Sequence, residues 1–126
     1  MKLQHIDHVA INVSDLQRSI GWYRDVLGLE RRFQGAWGDV PTMMCVGATC
    51  VALFVSNGSD QAAVAQSATG PLHHIAFRVD GENFEAAQRR FRDLGIEFRT
   101  ADHGIALSVY VADPDGHRIE ITTYDV

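Results

Sequence analysis

A chain of 126 residues, with 46% hydrophobic and 21% charged residues, has the length and composition of one folding domain with a substantial core. Its formal charge of −5 and pI of about 5.6 supply no basic stripe for a phosphate backbone, which excludes nucleic acid as an expected partner. No long apolar run and no charged-then-apolar leader stands in it, so neither a membrane span nor a signal peptide is expected and the expected compartment is cytoplasmic.

The first predicted element is a strand in IDHVAINV, with Val9, Ile11 and Val13 on one face and His8, Ala10 and Asn12 on the other. A helix follows: Ser14 with Gln17 makes a capping box, Ile20, Tyr23 and Leu27 recur at helical spacing, and Gly28 supplies a left-handed stop. Glycine and polar punctuation then bounds three candidate strands at about 30–36, 41–47 and 50–55. Cys45 and Cys50 lie in this apolar stretch without a CxxC spacing and are expected as reduced, buried thiols. The run SNGSDQAAVAQSATG at 56–70 is small and polar, as expected of a linker with a loop or a short irregular helix.

The pattern then starts again. HHIAFRV alternates with Ile75, Phe77 and Val79 on one face and His74, Ala76 and Arg78 on the other. A helix is predicted from about Glu82, with Phe84, Ala87, Phe91 and Leu94 periodic and Gly95 as its stop, and three more strands at about 96–101, 105–112 and 117–123. HVAINV lies over HIAFRV at an offset of 66, and LGLE over LGIE at 67, which marks a duplicated half rather than a solenoid repeat. The expected fold class is therefore α+β: two β-α-β-β-β modules, at about 5–56 and 72–124 with a linker at about 57–71, forming a cupped, barrel-like mixed sheet in a single domain with the helices outside.

With the apolar faces covered by helices, His8 and His74 head the faces that line the inside. In HRIEITTY, Ile119 and Ile121 take one face and leave Arg118, Glu120 and Thr122 on the other, where an unpaired carboxylate would be costly to bury. Taken singly, either histidine suits a hydrogen-bonded core position and Glu120 suits a salt bridge to Arg118. Jointly, two histidines and one carboxylate from three strands make a facial metal set with open positions, suited to Fe(II) or Mn(II) and able to hold Zn(II).

The repeated modules, together with DHVAINVSDLQRSIGWYRDVLGL, HHIAFRV and DPDGHRIEI, resemble the vicinal oxygen chelate superfamily, whose members include glyoxalase I, fosfomycin-resistance proteins, extradiol dioxygenases and metal-free bleomycin-binding proteins. The resemblance implies a divalent metal on His8, His74 and Glu120, and a homodimer acting on a small molecule. It places the fourth ligand of glyoxalase I, by the offset of 67, on Leu53, which is no ligand. HGIALSVYVADPDGHRIE at 103–120 resembles the extradiol signature, implying that His103 and Tyr110 serve beside the metal in catalysis. Asn12 and Arg78, following the histidines on the inner faces, are substrate-contact candidates. DPDG itself reads as a β-turn and nothing more. The leading expectation is an extradiol-type dioxygenase acting on a catechol-like substrate. The alternatives are a metal-dependent lyase, isomerase or thiol transferase of the same superfamily, or a metal-free binding protein using Trp22, Trp37 and Phe54 as stacking walls.

Overall fold

The computed structural model describes residues 1–55 and 72–126, so the linker expected at about 57–71 lies outside the described residues. The chain divides into two compact units, Met1–Ser67 and Ala68–Val126.

In the first unit, β1 (His8–Val13), α1 (Leu16–Asp25), β2 (Glu30–Arg32), α2 (Gln34–Trp37), β3 (Thr42–Val46) and β4 (Thr49–Val55) build a four-stranded sheet of order β1-β4-β3-β2. β1 and β4 run parallel, which a crossover of helix and two strands permits, and the remaining pairs are antiparallel. Alternation decides the covered face: Ile11 and Val13 of β1, Val51 and Leu53 of β4 and Met44 of β3 are buried, with Ile20 and Tyr23 of α1. Tyr23 is fully buried, and a side chain of that size contributes about 2 kcal/mol by leaving water.

Local chemistry shifts two predicted boundaries. Asp15, not Ser14, caps α1: its carboxylate accepts the Arg18 backbone N–H at 3.1 Å, while the Ser14 hydroxyl accepts from the Arg18 guanidinium. The strand expected at 30–36 ends at Arg32, because Phe33 turns to a left-handed φ of 65° and starts the single turn α2.

The cysteine expectation is overturned. Cys45 and Cys50 are joined in a disulfide, and the cause lies in the hairpin: with the turn at Gly47 and Ala48, Val46 pairs Thr49 and Cys45 falls directly opposite Cys50, on one face.

The second unit repeats the plan with β5 (Ile75–Arg78), α3 (Gly81–Asp93), β6 (Arg99–Asp102), β7 (Leu107–Ala112) and β8 (Arg118–Thr123), in the order β5-β8-β7-β6 and again with the first pair parallel. Val109, Val111, Ile119 and Ile121 are buried with Phe84 and Phe91 of α3. Leu94, predicted on the buried helical face, is exposed just past the helix end. Asp80 caps α3 by accepting the Asn83 backbone N–H at 2.8 Å, and that bond, with a second from the Asn83 side chain, holds its carboxyl below the usual range. Asp125 accepts the Gly81 N–H at 2.8 Å, and a Cβ at Gly81 would meet the Asp125 Cβ at 3.3 Å, so glycine permits this close approach.

The expected α+β modules are thus present, with one difference: the strands form two four-stranded mixed sheets, neither of them closed into a barrel.

Candidate metal and substrate site

The open face of the second sheet gathers most of the expected site residues. Register explains why: Glu120 of β8 stands between Ala76 of β5 and Tyr110 of β7, and Thr122 between Arg78 and Ser108, so these six side chains share one face. His74 immediately precedes β5, and its Nε2 lies 2.9 Å from Oε2 of Glu120. The other carboxylate oxygen, Oε1, accepts the Ser108 hydroxyl at 2.5 Å. Glu120 is buried, and both of its oxygens are engaged by these partners, so His74 and Ser108 rather than Arg118 offset its desolvation.

Tyr110 stands beside this pair. Its ring meets His74 edge-on at 6.3 Å between centroids, and the Arg99 guanidinium lies over its other neighbourhood at 4.9 Å from the ring centroid. The phenol oxygen is 3.1 Å from Nε2 of His103. His103 reaches it from the β6–β7 turn, where Gly104 adopts φ of 82° and gives its N–H to Asp102. Arg78 packs over the ring of Tyr124 at 4.8 Å. The turn DPDG is held by its own first residue: the Asp113 carboxylate accepts the backbone N–H groups of Asp115 and His117.

His8 and Asn12 belong to the first unit. His8 is exposed, and its Nδ1 is 2.8 Å from the Asp7 carboxylate. The same device recurs at His74, whose Nδ1 is 2.7 Å from Nδ1 of His73. In both units the preceding residue engages Nδ1 and so fixes the orientation of the ring. Asn12 is exposed on β1, opposite Phe54 of β4. Among the described residues, no group of three or more His, Cys, Asp or Glu side chains is gathered as a metal cage.

The pair that is gathered fits a metal in donor chemistry and spacing. Imidazole nitrogen and carboxylate oxygen suit Mn, Fe and Zn, and two ligands at about 2.1 Å subtending about a right angle stand about 3 Å apart. The observed separation of 2.9 Å is that of a direct imidazole–carboxylate hydrogen bond and is also compatible with that edge.

Register also corrects the duplication. Glu120 pairs Ala76, two residues after His74; the residue paired with Ala10, two after His8, is Ala52. The counterpart of Glu120 is therefore Ala52, and Leu53 faces the buried side. Arg99, His73 and Asp7 were not anticipated. Alternation puts Ser108 on the face of Tyr110, but only the β7–β8 register brings it to Glu120.

A family model described as Glyoxalase/Bleomycin resistance protein/Dioxygenase superfamily matches residues 5–121. The metallothiol transferase FosB of Staphylococcus epidermidis is 29% identical over 98% of this chain and 84% of its own. The glutathione transferase FosA of Serratia marcescens is 30% identical over 94% and 80%. Among solved structures, the fosfomycin resistance protein FosX from Mesorhizobium loti superposes with a TM-score of 0.70, at 22% identity over 97% of this chain and 93% of that one.

Proposed function

We propose, from the premise that this chain belongs to the Glyoxalase/Bleomycin resistance protein/Dioxygenase superfamily, that it is a metal-dependent enzyme transferring a thiol to a small substrate. The single observation that carries this reading is the pairing of His74 with the buried Glu120, set at a spacing compatible with two ligands of one metal and backed by Ser108 and His73. The relatives named metallothiol transferase and glutathione transferase support thiol transfer over the extradiol reading that leads on the sequence, which is set aside here. The proposed ligands are His74 and Glu120, with His8 as the third ligand on the strength of the sequence. The ion is divalent: Fe(II) and Mn(II) suit a set of two imidazoles and one carboxylate, and Zn(II) can also be held.

When bound, the metal would act as a Lewis acid toward substrate oxygen and neutralise charge developing there. The chain's own groups do the rest. Attack by the sulfur forms a carbon–sulfur bond and breaks a carbon–oxygen bond, so the thiol proton must leave and the released oxygen must gain one. Tyr110 and His103, 3.1 Å apart, are a donor–acceptor couple able to hold that proton beside Glu120. Arg99 and Arg78 place positive charge at the same face for an anionic substrate.

The test is anaerobic Mn(II) titration of wild type, His74→Ala and Glu120→Ala, paired with thiol consumption from glutathione and cysteine. Fosfomycin is the first acceptor tried, since a protein of this fold is named for resistance to it. One site per chain, lost in both variants, with metal-dependent thiol consumption, is the expected result. A metal site without thiol consumption overturns the transferase reading; a folded wild type that binds no metal overturns the metal and favours a ligand-binding protein.

A further inference from the structure

We propose that Ser108 is a positioning residue that holds Glu120 so that a single carboxylate oxygen, Oε2, is presented to the metal. This inference rests on the metal reading above and adds a residue that acts on the metal only through Glu120.

Three observations carry it. Ser108 is fully buried as the second residue of β7, and its hydroxyl lies 2.5 Å from Oε1 of Glu120. A carboxylate oxygen only accepts, so the serine hydroxyl is the donor, and a separation this short is that of a charge-assisted bond. With its one proton given to Glu120, the Ser108 oxygen can accept from the Thr122 hydroxyl, 3.1 Å away, when that hydroxyl gives up its alternative acceptor, the Leu107 carbonyl at 3.2 Å. Glu120 and Thr122 are on one strand, Ser108 on the next, and the register makes Ser108 the direct neighbour of Thr122 and the diagonal neighbour of Glu120. The carboxylate is therefore clamped at Oε1 from within the sheet, while Oε2 points to Nε2 of His74 at 2.9 Å. With one lone pair of Oε1 taken by Ser108, two-oxygen coordination would make that oxygen serve the metal and a buried hydrogen bond together, which favours Oε2 alone. One-oxygen coordination leaves a position open for substrate.

The expected consequence of Ser108→Ala is a metal affinity reduced about 10- to 100-fold, as for other outer partners of metal ligands. The measurement is the Mn(II) dissociation constant, together with the visible absorption of the Co(II)-loaded protein, which responds to coordination number. Wild type, Ser108→Ala and Ser108→Thr are compared, with metal-free thermal unfolding of each. The proposal expects weakened binding and an altered Co(II) spectrum in Ser108→Ala, and recovery toward wild type in Ser108→Thr, which keeps the hydroxyl. Unchanged affinity and spectrum in a folded Ser108→Ala overturn the positioning role and leave the metal reading intact. Absence of metal in wild type overturns both. Should Ser108→Ala not fold, Ser108→Cys keeps the volume with a much weaker donor, and the same two outcomes decide.

Discussion

The two units share a topology and differ in what they place on the open face of the sheet. In the first, Cys45, Cys50, Met43 and Ala52 make a buried apolar cluster there, closed by a disulfide. At the matching register positions of the second, Glu120 replaces Ala52 and Tyr110 replaces Met43, in a hydrogen-bonded network with Ser108, Thr122 and His74. A sheet satisfies its backbone through its ladders whatever its side chains are, so one face is free to carry either a hydrocarbon patch or a polar site. The duplicated plan therefore supplies the scaffold, and the chemistry depends on which copy acquired mutually satisfying polar partners. The strand-leading histidine, with its Nδ1 engaged by the residue before it, is common to both.

The sharpest way to break this comparison is to move the carboxylate. Ala52→Glu places an acid among Met43, Cys45 and Cys50 with no counterpart of Ser108. It is expected to destabilise the protein by roughly 3 kcal/mol or more in urea unfolding, whereas Glu120→Ala keeps a cooperative transition and loses metal. Next in size is Tyr110→Phe, which keeps the ring packed against Arg99 and His74 but removes the oxygen that meets His103. Metal affinity should stay within about threefold of wild type while turnover falls about 100-fold, read by kcat beside a metal titration.

Reduction of Cys45–Cys50 addresses the first unit alone. The bridge closes a very short loop, so its removal is expected to cost about 2 kcal/mol in the chain-entropy model, measured by urea unfolding with and without reductant. The smallest expected effect is at the α3 cap. The Asp80 carboxyl is held below its ordinary range by the Asn83 bonds, so its contribution is present above the unfolded-state value and is lost as pH falls through the folded one. Asp80→Ala should lower the melting midpoint at neutral pH, and the gap to wild type should close in acid.

Much of the site was legible because strand alternation is local. The face shared by Glu120 and Thr122, and that shared by Ser108 and Tyr110, follow from a period of two that no distant residue can alter. The boundaries that moved were also local, but turned on competition: Asp15 outcompeted Ser14 as cap, and Phe33 turned left-handed where a strand was expected to continue. The cysteine pairing was within reach as well, since a two-residue turn at Gly47 and Ala48 places Cys45 opposite Cys50.

What the sequence by itself determined is therefore the duplicated β-α-β-β-β plan, the covered and open faces, and the candidates His74 and Glu120, all of them consequences of short-range periodicity, while His103 and Tyr110 were candidates through the family resemblance alone. Only the tertiary structure decided that Glu120 is clamped by Ser108 and faces His74, and that Ala52 rather than Leu53 is its counterpart. Those facts depend on strand register, which is set by pairing between residues distant in the chain, and a slip of one residue would turn every side chain to the opposite face.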